Sequence, residues 1–150
     1  MKKCIFSLFF LAIVSVPSTA ALHAQTADST VIKAVIQDFF EVFSEFDAKY
    51  LERTTTKGFE LYDVGLVWNA DSVKTYITKN TKPFKRENKL DFLKFNVRGN
   101  IAWVSYWNTG IFHRPDGKKQ DIRWLESAIL EKINSEWKIA QLHSTRVFDK

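Results

Sequence analysis

The sequence predicts an α+β domain: one long amphipathic helix, then a sheet of mainly antiparallel strands. Apolar residues recur every three or four positions from Val31 to Leu51, the period of a helix with one buried face. From Asn88 onward apolar and polar residues alternate in long runs, the period of strands. Short turn-forming groups, Arg98 to Asn100, Arg114 to Gly117 and Asn134–Ser135, separate those runs and make consecutive hairpins. A length of 150 residues suits one domain, and no repeat or low-complexity linker divides it.

The first element stands apart from that domain. Lys2 and Lys3 precede an apolar run from Ile5 to Val16, interrupted only by Ser7 and Ser15; Pro17, Ser18 and Thr19 end it, and the small residues Ala20, Ala21 and Ala24 follow. This is the layout of a secretory signal peptide over residues 1–24, and the run is too short for a stable membrane span. Cleavage after Ala24 leaves a domain over 25–150 that begins with Gln25; cleavage after Ala21 also fits. The expected location is exported, periplasmic or secreted. Cys4, the sole cysteine, precedes the apolar run, where lipidation does not use it. The mature chain therefore has no thiol for a disulfide, a nucleophile or a zinc site.

Loss of Lys2 and Lys3 takes the net charge from +5 to +3, which is only mildly basic and argues against a nucleic-acid partner. Lys82, Lys85, Arg86 and Lys89, beside Phe84, form one short basic run, read as a solvated loop. Aromatics are the informative excess: five Trp, four Tyr and ten of thirteen Phe lie beyond residue 24. They suit a packed core or a deep apolar pocket.

In chain order, Thr26 to Thr30 forms a polar leader in which Asp28, Ser29 and Thr30 are candidate N-caps. A single helix follows over about 30 to 51, with Val31, Val35, Phe39, Val42, Phe43, Phe46 and Tyr50 on its apolar face. Thr54 to Lys57 breaks it. Phe59 to Val64 forms a strand, Gly65 turns it, and Leu66 to Trp68 returns. Asn69 or Asp71 caps a second helix over about 71 to 79, and Lys79 to Pro83 is a loop. Strands then run over Asn88 to Val97, Ile101 to His113, Asp121 to Ile133 and Trp137 to Phe148. In the turn Arg114-Pro115-Asp116-Gly117, Pro fixes φ and Gly accepts a positive one.

This order, with the ending Glu131-Lys132-Ile133-Asn134-Ser135-Glu136-Trp137-Lys138-Ile139-Ala140-Gln141-Leu142-His143-Ser144, resembles the nuclear transport factor 2-like superfamily. It is similar in particular to SnoaL-like domains and the association domain of calcium/calmodulin kinase II. Phe59 to Gly65 and Trp68-Asn69-Ala70 resemble the early hairpin of the same group. The resemblance covers the whole mature chain and implies a cone-like, strongly bent antiparallel sheet wrapping the N-terminal helix, with a cavity at the open end. It does not select a function, because the superfamily hosts enzymes, binding proteins and oligomerisation modules.

Strand alternation yields the site candidates. Ile122, Trp124, Glu126, Ala128 and Leu130 share one face, which the resemblance turns towards the cavity; Trp124 then forms a wall and Glu126 a buried or half-buried acid. Such an acid needs a partner or a raised pKa. Glu126 is either a ligand anchor or general base, or half of a structural pair with Arg146 or Arg98. Asp63 is the second candidate acid, and Asp91 the other acid on a strand. Neither lies in a local sequence matching the catalytic motif of ketosteroid isomerase, and the first-helix positions that would carry its other groups are mostly Phe. Trp68, Tyr62, Trp107 and Arg146 complete the candidate ligand-binding set. Which of the two faces through Trp103 and Trp107 points inward is open. On the last strand Ala140, Leu142, Ser144 and Arg146 share one face, and Ile139, Gln141, His143 and Thr145 the other. His143 is then on the outer face, where the resemblance implies a homodimer contact; His113 is a strand-end residue. His113 and His143 lack the spacing of paired metal ligands, and no phosphate-binding glycine loop or nucleophile elbow occurs, so no metal or cofactor is expected. The expected function is binding of a small hydrophobic molecule in an apolar cavity. The alternatives are an isomerase, cyclase or hydratase that uses a cavity carboxylate, and a homodimeric interaction module.

Overall fold

The structure, a computed structural model, describes residues 19–79 and 85–148. Most of the expected signal segment, and Lys82 and Phe84 of the basic run, lie outside the described residues. The elements in order are α1 (Thr19–Glu45), α2 (Lys49–Thr54), β1 (Thr55–Asp63), β2 (Leu66–Asn69), α3 (Ala70–Lys79), β3 (Lys85–Arg98), β4 (Ile101–His113), β5 (Lys119–Ile133) and β6 (Glu136–Val147). No helix among the described residues is long and apolar enough to cross a membrane.

The helix expected over 30–51 is two helices. Phe46 takes a φ of 54°, a left-handed conformation that ends α1 one residue after Glu45. Asp47 then accepts a hydrogen bond from the Lys49 amide at 2.9 Å in the turn that leads into α2. The apolar period continues through the break, because Leu51 is buried and Phe46 and Tyr50 pack on the same core; periodicity alone therefore could not reveal it. The residues expected as a polar leader belong to α1. Asp28 does not cap the helix; it accepts hydrogen bonds from Trp137 Nε1 at 2.8 Å and Lys132 Nζ at 2.9 Å, tying α1 to the β5–β6 hairpin. The break placed at Thr54 to Lys57 is short, since β1 already starts at Thr55.

The six strands form one sheet in the order β2-β1-β6-β5-β4-β3. The expected meander accounts for β3 to β6, all antiparallel neighbours. Added to it is a parallel pairing of β1 with β6, for example Leu61 with Leu142, which closes the first hairpin onto the last strand. Register shifts between Phe92 and Lys94 on β3, between Ile129 and Leu130 where β5 meets β6, and between Thr55 and Glu60 mark bulges, which bend and twist a sheet. The sheet curls around α1, whose Ile32, Ile36, Phe39, Phe40 and Val42 are buried against Val104, Tyr106, Leu130, Ile139 and Leu142 in one core.

The bulge opposite Ile129 corrects the face assignment on β6. Gln141 pairs with Ile129 but Ile139 pairs with Leu130, so Ala140 is the extra residue. Trp137 and Ile139 point inward before it, Leu142 and Ser144 after it. Ile139 therefore does not share the outer face with His143.

The turns follow their sequences. Asn134 and Ser135 take φ values of 50° and 68° in a two-residue hairpin loop. In the Arg114–Gly117 turn the Gly117 amide donates to the Arg114 carbonyl at 3.0 Å, with φ of 79° at Gly117. Asn69 caps α3, its Oδ1 accepting from the Ser72 amide at 2.8 Å, and Val73 and Ile77 fix that helix to the core.

Candidate functional site

A cavity of about 270 Å3 opens between α1, α3 and the inner face of the sheet. α1 supplies Phe39, Phe40 and Phe43; β1 supplies Leu61 and Asp63; Trp68 comes from β2, Val73 and Tyr76 from α3, Arg86 from β3, Trp124 and Glu126 from β5, and Leu142 and Ser144 from β6. The wall is thus mostly aromatic and aliphatic, with three charged groups.

Of the sequence candidates, Trp124, Glu126, Trp68 and Asp63 line this cavity. On β5 the alternation, with the inward face implied by the resemblance, put Trp124 and Glu126 there: Glu126, Ala128 and Leu130 are buried, and Leu125, Ser127 and Ile129 exposed. Tyr62, Trp107 and Arg146 do not line it. Tyr62 follows Leu61 on β1 and so points to the outer face; its hydroxyl donates to Glu60 Oε2 at 2.6 Å and its ring stands edge-on to His143. Trp107 lies on the outer face too, under the Arg123 guanidinium at 4.2 Å, because Ala102, Val104, Tyr106, Asn108 and Gly110 take the inner face of β4. Arg146 pairs with Trp124 near the exposed end of β6 and covers the Phe148 ring. Arg98 is exposed at the far end of β3.

Neither arginine is therefore the partner of Glu126. Its Oε1 accepts from Ser144 Oγ at 2.9 Å and its Oε2 from Asn108 Nδ2 at 3.3 Å; Ser144 is the directly opposed residue on β6. Burial pushes the Glu126 carboxyl up to about 7, against the pull of those two hydrogen bonds and of the Arg86 charge. The Tyr106 hydroxyl sits in the field of Glu126, and burial raises its pKa well above the ordinary phenol value. It makes no hydrogen bond of normal geometry among the described residues.

Arg86 is the cavity residue that the solvated-loop reading missed. β3 begins at Lys85, and its alternation puts Arg86, Asn88, Leu90 and Phe92 inward while Lys85 and Lys89 stay exposed. The signal was present: the period through Phe92 and Leu90, extended backwards, reaches Arg86. Its guanidinium lies over three rings, Phe43 at 5.0 Å, Phe112 at 5.2 Å and Trp124 at 5.4 Å. Its Nε donates to Asn88 Oδ1 at 3.1 Å. Burial lowers the guanidinium to about 10, opposed by the charges of Glu126, Tyr76 and Asp63, so Arg86 stays cationic near neutrality.

Three further features shape the wall. Gly110 makes room for Trp124, since a Cβ there would stand 2.9 Å from its ring. Asp63 Oδ1 and Trp68 Nε1 are buried with no hydrogen-bond partner among the described residues. Val64, at the rim, holds a φ of 45°, a strained conformation for a β-branched residue. Among the described residues no group of three His, Cys, Asp or Glu side chains comes together as metal ligands.

The sequence matches no protein-family model, and no curated protein matches it. Solved structures do. A conserved protein from Planctomyces limnophilus superposes with a TM-score of 0.72 at 16% identity, covering 81% of this chain and 99% of its own. The association domain of C. elegans CaMKII gives 0.67 at 17% identity, covering 81% and 98%. A nuclear transport factor 2-like superfamily protein from Salmonella enterica serovar Typhimurium gives 0.67 at 22%, covering 82% and 95%. With its curled six-stranded sheet around an N-terminal helix, the chain has the nuclear transport factor 2-like fold that its last hairpin resembles.

Proposed function

We propose that the domain binds a small, largely apolar molecule in the cavity between α1 and the inner face of the sheet. The observation that carries this reading is an aromatic and aliphatic cavity with unsatisfied polar atoms in its wall. Asp63 Oδ1 and Trp68 Nε1 are buried with no partner among the described residues, and such groups ordinarily find one. A bound hydroxyl could accept from Trp68 and donate to Asp63. Thermal-shift screening of the purified chain against hydrophobic acids, steroids and polyketide-like rings tests the reading. Saturable stabilisation by one class, abolished by the cavity-filling Val73→Phe, supports it; a screen without hits, together with a crystal structure whose core side chains fill the cavity, refutes it.

Two other readings each have one supporting observation. An acid–base enzyme is favoured by Glu126, a cavity carboxyl poised near neutrality; catalysed proton exchange from a bound carbonyl compound, lost in Glu126→Gln, would establish it. A homodimer through the outer face of the sheet is favoured by Trp103, Leu125 and Ile129, exposed at 44%, 42% and 41% on adjacent strands. One structural relative is an association domain. Sedimentation of Trp103→Lys against the unmodified chain decides between dimer and monomer. Export rests on residues 1–24, and N-terminal sequencing of the mature protein, expected to begin at Gln25 or Leu22, tests it.

A further inference from the structure

The cavity contains a cation that lacks a counter-ion in contact. No carboxylate among the described residues lies within 4.0 Å of Arg86, whereas Arg53, Lys85 and Lys132 each have one. The two cavity acids are engaged or out of reach: Glu126 divides its oxygens between Ser144 and Asn108, and Asp63 Oδ1 has no partner among the described residues. Arg86 is half-buried in the cavity wall, and withdrawing an arginine from water without a paired anion is unfavourable.

Around Arg86 the protein has provided everything except that anion. The rings of Phe43, Phe112 and Trp124 surround the guanidinium at 5.0 to 5.4 Å. Ring faces stabilise the charge, on the order of 0.5–2 kcal/mol, but do not replace in-plane acceptors for its N–H groups. Asn88 takes Nε and is itself braced by donation from Nδ2 to Ser44 Oγ at 3.4 Å, which fixes the guanidinium in orientation. The terminal nitrogens of Arg86 donate to no side chain among the described residues. A planar fork of N–H donors matches a carboxylate bidentately, and the neighbouring wall of Phe39, Phe40, Phe43 and Trp124 suits an apolar body attached to it.

We propose that the ligand of this cavity is an apolar organic acid, bound as its carboxylate to the terminal N–H groups of Arg86 with its hydrocarbon part against the Phe39, Phe43 and Trp124 rings. The inference rests on the cavity-binding reading above and narrows it to one ligand class. The raised pKa of Glu126 is consistent with it: near neutrality that group is about half protonated and repels an incoming anion less than an ordinary carboxylate would.

The test compares acids with their uncharged isosteres on the full chain. Binding of 2-naphthoate and 2-naphthamide, and of 4-phenylbutyrate and 4-phenylbutyramide, is measured by calorimetry at one pH and salt concentration. The acids are expected to bind at least tenfold more tightly than the amides. Arg86→Gln should reduce that ratio to about one, and amide binding that remains measurable shows that the cavity is intact. Arg86→Lys, which keeps the charge but loses the fork, should retain part of the preference. If acid and amide bind equally to the unmodified chain, the anion anchor is wrong and the cavity reading stands. If the acid preference survives Arg86→Gln, the anchor is elsewhere and the proposal is overturned. If neither acids nor amides bind, both readings fail together. Should Arg86→Gln not fold, the comparison on the unmodified chain and on Arg86→Lys decides.

Discussion

Glu126→Gln should remove the loss of stability that this buried acid causes as the pH rises from 4.5 to about 7. Unfolded, Glu126 titrates near 4.5; folded, burial moves it to about 7. Below pH 4.5 it is neutral in both states and its contribution to stability is fully present. As the pH rises, the unfolded chain releases the proton first and the folded state loses ground, until the folded carboxyl also ionises near 7. A shift of that size corresponds to about 3 kcal/mol across the window, since one pKa unit is about 1.4 kcal/mol. Gln keeps the shape and removes the charge. Rotation of the Asn108 amide would present its Oδ1, unpartnered among the described residues, to the new amide. The assay is urea denaturation of both proteins at intervals from pH 4.5 to 8.5. The difference between them cancels groups common to both. The variant should match the parent at the acid end and exceed it by about 3 kcal/mol at the alkaline end, with most of the change between pH 5 and 7. A difference that stays flat through that range would show that Glu126 ionises as freely in the fold as in the unfolded chain. The account of the buried acid would then be wrong.

Gly110→Ala should cost about 1–3 kcal/mol in denaturation experiments, because its Cβ would meet Trp124 at 2.9 and 3.2 Å and Phe112 at 3.0 Å, and the Trp124 wall would have to move. Ser135→Gly should raise stability by up to about 1 kcal/mol, seen as a higher Tm, since Ser135 holds a φ of 68° in a two-residue turn that favours Asn-Gly. Asp28→Ala should cost about 1–3 kcal/mol by leaving the Trp137 indole N–H without its acceptor. A double-mutant cycle with Trp137→Phe should give a coupling above about 0.5 kcal/mol. The hydrogen bonds from Trp137 and Lys132 hold the Asp28 carboxyl below its ordinary value. Its stabilising contribution is therefore present above the ordinary carboxylate range and fades as the pH falls through it, and the parent and Asp28→Ala curves should converge in acid.

How much of this was legible in the sequence depended on whether the signal was local. The two faces of β5 needed only alternation, the resemblance of the last hairpin chose the inward one, and Trp124 and Glu126 lie on it. The Arg114–Gly117 and Asn134–Ser135 turns needed only residues that tolerate their φ values. The same alternation on β3 reaches Arg86, but a cluster of four basic residues concealed it, because composition averages over the two faces of a strand that the backbone separates.

Other features depend on contacts between segments far apart in the chain. The left-handed Phe46 interrupts α1 without disturbing its apolar period, since the residues on both sides pack on one core. The bulge at Ala140 shifts the phase of β6 by one residue and exists only relative to β5. Sequence alone determined the order of elements apart from the break at Phe46, and the resemblance of the last hairpin, which together with alternation gave the inward set of β5. Tertiary structure alone decided that Ser144 and Asn108, not Arg146 or Arg98, hold Glu126, and that Arg86 faces the cavity without a carboxylate in contact among the described residues. The physical reason is range: alternation and turn chemistry act over a few residues, whereas charge pairing and burial depend on which strands the register brings together.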